Sequence, residues 1–127
     1  MEAEIPKPDP KDVKDVFDKA SVLARIDGDT NLLKELAELF LENLPRLFMN
    51  VREAVTRGDA RALECAAHAL KGSVGNFAAR PAVDAALRLE HIGHCGNLTE
   101  AESAFRVLEE EIERLKPALA DLSKAEV

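Results

Sequence analysis

The sequence predicts an all-α domain: an antiparallel up-down four-helix bundle with a short additional N-terminal helix. Three observations carry this. Apolar residues recur at three- and four-residue steps along most of the chain, the period of one helix face. No alternating apolar–polar run of useful length is present, so nothing signals a strand. Short punctuations, Asp27-Gly28-Asp29, Gly58-Asp59 and Cys95-Gly96-Asn97, separate the periodic stretches, and helices joined so briefly pack antiparallel.

The elements follow in order. Residues 1–11 carry Pro6, Pro8 and Pro10 among charges and read as a linker or tail, because each proline removes a donor and restrains its predecessor. The bundle is expected over 12–122 and a frayed tail over 123–127. Val13, Val16, Phe17, Ala20, Leu23 and Ala24 give a first helical region over 12–26, with a break near Ser21. Gly28 then turns the chain, and Asp29 or Thr30 caps the next helix. That helix, over 31–56, carries the stripe Leu33, Leu36, Phe40, Leu44, Leu47, Val51 and Val55, widened by Leu32, Leu39 and Phe48. Pro45 falls inside it. The stripe continues in phase across the proline, so one kinked helix is expected and not two.

Asp59 is the N-cap expected for a central helix over 60–77. Arg80-Pro81 opens the next, with proline in the first turn, and Val83, Ala86, Leu87, Leu89 and Ile92 supply its apolar positions up to 94. Asn97 and Glu100 have capping-box spacing. The last helix is expected from about 99, through Pro117, to 122, on the stripe Ala101, Ala104, Phe105, Leu108, Ile112, Leu115 and Leu119.

Composition narrows the function. The chain has 127 residues, 46% of them hydrophobic, enough for one core. Its net charge of −7 argues against nucleic acid or an anionic membrane as partner. No apolar run is long enough to span a bilayer. The N-terminus lacks the basic and apolar regions of a secretory signal. A cytoplasmic monomer with Cys65 and Cys95 as free thiols is expected.

The chemistry concentrates on the central helix. On a helical wheel Leu63, Ala66, Ala67, Leu70, Val74 and Phe77 share one arc. His68 lies opposite, with Arg61, Glu64, Cys65, Lys71, Gly72 and Gly75 around it. The core therefore did not place His68. Gly72 and Gly75 each cost a helix interior about 1 kcal/mol against alanine, and neither is expected at the helix end. Close approach of another molecule beside His68 would offset that cost. Lys71, one turn on, can neutralise a phosphoryl group carried by the imidazole. The chain has no nucleotide-cradling glycine loop, so it reads as a recipient of phosphoryl groups and not as a kinase or other enzyme.

His68-Ala69-Leu70-Lys71-Gly72-Ser73 resembles the H-x-x-K-G-S signature of histidine phosphotransfer (HPt) domains of bacterial two-component phosphorelays. The resemblance extends to Asp27-Gly28-Asp29 with Leu32-Leu33-Lys34-Glu35-Leu36, to Phe40-Leu41-Glu42-Asn43-Leu44-Pro45, to Gly58-Asp59 and to Leu89-Glu90, spanning roughly 15–120. It implies that His68 accepts a phosphoryl group from the aspartate of a response-regulator receiver domain and passes it to another receiver. It implies that Lys71 steadies the phosphate and that Gly72 lets the receiver approach. No cofactor of its own is implied; Mg²⁺ would come with the receiver, and a hybrid sensor histidine kinase is a further expected partner. Glu90 stands where such domains commonly place a glutamine that bonds the histidine ring, which marks it as a residue orienting His68. Gly75-Asn76-Phe77 departs from the family's small-x-x-Leu-Gly ending.

Other readings stay open. His91, His94 and Cys95 lie on one helical face and could hold a soft or borderline metal; against this stands a polar helix end with histidines near the negative dipole. A helical interaction or metal-sensing module without phosphoryl transfer is thus one alternative. A phosphohistidine domain labelled directly by a kinase ATP-binding domain is another. A Cys65–His68 nucleophilic pair lacks an oxyanion donor and a third member.

Overall fold

A computed structural model describes residues 17–124. The expected leader 1–11, the first residues of the first helical region and the end of the tail lie outside the described residues. Five helices are described: α1 (Lys19–Arg25), α2 (Thr30–Arg57), α3 (Ala60–Gly75), α4 (Arg80–Cys95) and α5 (Ala101–Lys124). No strand occurs among the described residues. Each long helix packs on its chain neighbours, α5 returns to α2, and α1 rests on α2. The result is the up-down four-helix bundle with a short extra helix.

Side-chain caps set three of the starts. Asp18 accepts from Ser21 N, Asp29 from Leu32 N and Asp59 from Ala62 N, each at 3.0–3.1 Å. Gly58 ends α2 in the left-handed region at φ 68°, where a side chain would be strained. α2 is one helix across Pro45, as expected, with the proline on its exposed side. α5 likewise runs through Pro117, and continues to Lys124.

Five expectations need correction. The break near Ser21 is absent, because α1 runs unbroken from Lys19 to Arg25 with Ser21 in its first turn. The central helix ends at Gly75, not Phe77. Gly75 is therefore its last residue, and Phe77 sits in the turn beyond, buried against Phe40 with ring centroids 5.3 Å apart. That turn needs Ala78 at φ 51°, which is incompatible with continuing the helix. The Asn97–Glu100 capping box does not form: Asn97 accepts from Thr99 N at 3.1 Å, while Glu100 pairs with Arg88 at 2.9 Å. Leu32, Leu39 and Leu87 are exposed, because the inward arc of α2 and α4 is narrower than their full apolar content.

The core runs the length of the bundle through Leu33, Phe40, Leu44, Leu63, Leu70, Leu89, Phe105 and Leu115. The α3–α4 seam is closest. Its small residues include Gly93, whose missing Cβ would lie 2.6 Å from Glu64 N and 2.7 Å from Ala60 O. No described helix is long and apolar enough to cross a membrane.

Candidate functional site

Leu63, Ala67, Leu70 and Val74 are fully buried and fix which face of α3 looks inward. Rotation by half a turn brings His68 out, its side chain 67% exposed. On α4, buried Ala86 and Leu89 do the same for the flank that carries Glu90. Gly93 lets the two backbones close up, and a glutamate on one helix then reaches a histidine on the other.

Glu90 holds both of the site's basic groups. Its Oε2 is 2.9 Å from His68 Nδ1, and its Oε1 is 2.7 Å from Lys71 Nζ. Oε1 is covered from solvent, and the Lys71 ammonium at 2.7 Å is the group that compensates it. Lys71 is also the main reason the Glu90 carboxyl is held below its ordinary value. Partial burial works against this, and His68 adds to it. Glu90 is therefore an anion at neutral pH. A carboxylate can only accept, so neutral His68 carries its proton on Nδ1 and donates it to Glu90. The Nε2 lone pair is left facing out.

The space around His68 is clear. Ala69 and Gly72 are exposed. A Cβ on Gly72 would meet nothing within 4 Å, so the fold itself does not require glycine there. Gly75 differs. A Cβ there would make an ordinary contact with Val83 at 3.9 Å, and the Gly75 carbonyl accepts from Arg25 at 3.4 Å. Beside Gly72, Ser73 and Asn76 border a groove of about 380 Å³ that is also lined by Leu36, Leu39 and Asn43 of α2 and by Val22 and Arg25 of α1.

The structure thus brings His68, Lys71, Gly72 and Glu90 together. It does not assemble His91, His94 and Cys95. His94 turns its Nδ1 to Glu64 of α3 at 3.0 Å, while His91 and Cys95 line a groove with Arg88, Asn97 and Glu100 on another side of α4. No group of three or more metal-ligating side chains is gathered among the described residues. Cys65 and Cys95 are both free and exposed.

Sequence reasoning missed the Lys71–Glu90 ion pair and the role of Gly93. Both depend on the register between α3 and α4, which sets His68 against Glu90 and Glu64 against His94. A buried glycine near the end of α4 was the available signal for close approach.

A family model described as "Hpt domain" matches residues 35–118, more than half of the chain. No curated protein and no solved structure matches the chain significantly.

Proposed function

The chain belongs to the Hpt domain family, and from that membership we propose that it is a phosphorelay intermediate in which His68 carries the phosphoryl group between receiver-domain aspartates. Such domains are phosphotransfer modules and not kinases. The observation that supports the reading best is the presentation of His68. Its Nδ1–H is held by Glu90, its Nε2 faces outward, and Lys71 stands beside it.

Transfer is a matter of in-line placement and charge. The Nε2 lone pair attacks the phosphorus of an aspartyl phosphate. The N–P bond forms as the P–O bond to the aspartyl oxygen breaks, and that oxygen leaves with the electron pair. Lys71 compensates the incoming charge, Glu90 orients the ring, and the bare Gly72 surface lets the receiver backbone come close. The Leu39 side of the adjoining groove offers the receiver apolar contact. Mg²⁺ belongs to the receiver in this mechanism, and the setting is a cytoplasmic monomer.

The test is direct. Incubated with a phosphorylated receiver and Mg²⁺, the protein is expected to acquire acid-labile, base-stable phosphate, and His68→Gln to acquire none. Undiminished labelling of His68→Gln would sink the assignment.

A further inference from the structure

Glu90 does more than orient a ring, provided that His68 is the phosphoryl carrier. In the form that can attack, with a lone pair free on Nε2, the cluster holds one carboxylate, one ammonium and an uncharged imidazole whose Nδ1–H rests on Glu90. Transfer changes that balance. The Nε2 lone pair becomes the N–P bond, and the receiver's carboxylate takes back the electron pair of the P–O bond. No proton moves. The ring then holds a phosphoryl group on Nε2 and a proton on Nδ1, so the ring is cationic while the phosphoryl group bears nearly two negative charges.

Lys71 now faces two anions. Its contact with Glu90 Oε1 is close, at 2.7 Å, but the phosphoryl group carries more charge than the carboxylate. We propose that phosphorylation re-pairs the cluster: Lys71 exchanges Glu90 for the phosphoryl group, and Glu90 is left holding the cationic, Nδ1-protonated ring, which keeps the phosphohistidine in the form that gives its phosphoryl group up. The chemical reason lies in the leaving group. With Nδ1 protonated, onward transfer releases neutral imidazole. Without that proton it would release imidazolate, a far stronger base and a poorer leaving group. A glutamine at this position could accept the Nδ1–H bond, but it has no charge with which to keep the ring cationic.

The surrounding charges are few. On α3 they are Lys71, and one turn back Glu64, which is engaged by His94. On α4 they are Glu90, and one turn on His94. Glu90 is the carboxylate in contact with the His68 ring.

Phosphoramidate, a small phosphoryl donor, loads histidine without any receiver. Phosphorylated wild type and Glu90→Gln are titrated by nitrogen and phosphorus NMR of the phosphohistidine. The wild-type ring is expected to keep its Nδ1 proton to a pH higher by about one unit than the Glu90→Gln ring. Its transfer to a receiver should remain fast to a correspondingly higher pH. Lys71→Ala is expected to move the titration the other way, upward. Coincident titrations of wild type and Glu90→Gln, or a later loss of the proton in the variant, would overturn the proposal. If phosphoramidate labels His68 but no receiver exchanges with it, the relay reading fails and the titration still decides the role of Glu90. If phosphoramidate leaves His68 unlabelled, both fail.

Discussion

Two histidine–carboxylate pairs bridge α3 and α4 one helical turn apart, built in opposite senses. In one, His68 of α3 meets Glu90 of α4 at 2.9 Å; in the other, His94 of α4 meets Glu64 of α3 at 3.0 Å. Both rings are well exposed, at 67% and 75%. The hydrogen bond is therefore common to both and does not by itself single out the proposed phosphoryl site. What differs is the company. Lys71 joins the first pair, and open space lies over Gly72. The second pair sits in the last turn of α4, where unpaired carbonyls repel an added anion, and beside Gly93, where the backbones already touch. One rung carries a cation beside open helix surface, and the other only joins two helices whose backbones already touch.

The two glycines give the sharpest way to break this distinction. Gly93→Ala puts a methyl group within 2.6 Å of backbone that cannot swing aside. The helices must separate, and a loss of about 2–3 kcal/mol in unfolding free energy is expected. Gly72→Ala meets nothing and removes a helix-interior glycine, so a gain of up to about 1 kcal/mol is expected. Any cost of the second substitution should fall on transfer from the receiver. Urea unfolding of both variants checks the signs; equal losses would show that the fold needs both glycines.

Lys71 comes next. Lys71→Ala leaves the covered Oε1 of Glu90 without its compensating charge, and a loss of about 1 kcal/mol is expected. The loss should depend on pH. The folded-state pKa of Glu90 lies below the ordinary 4.5, so its contribution is present above 4.5 and fades as pH falls through the folded value. Wild type and Lys71→Ala should thus converge in stability at acid pH. A gap that stays constant down the acid limb would mean that Lys71 acts through packing and not through Glu90.

Much of this was legible in the chain, for reasons that differ by residue. The α2 stripe ran in phase through Pro45 because a proline on the outer side of a helix leaves the inner face undisturbed. His68 could be placed outward because four buried positions of α3 define the opposite arc. These are properties of one helix read alone. Pairing between helices is not. Glu90 could be marked as a residue orienting His68, but only the α3–α4 register shows that its other oxygen meets Lys71. His91, His94 and Cys95 looked like a ligand set because helical spacing groups them, whereas Glu64 on α3 claims His94. The end of α3 was misplaced by two residues because Phe77 continues the apolar period from within a turn.

The smallest expected effect tests whether the second rung is only a fastening. Glu64→Gln keeps an acceptor for His94 and removes one exposed charge pair. Less than about 0.5 kcal/mol of stability should be lost, as for other exposed ion pairs. Labelling of His68 should match wild type, and His94→Gln should behave alike. Reduced labelling in either variant would mean that the negative charge of Glu64, one turn from His68, tunes the acceptor after all. The two rungs would then form one electrostatic unit along the seam, with the contrast between them a matter of degree.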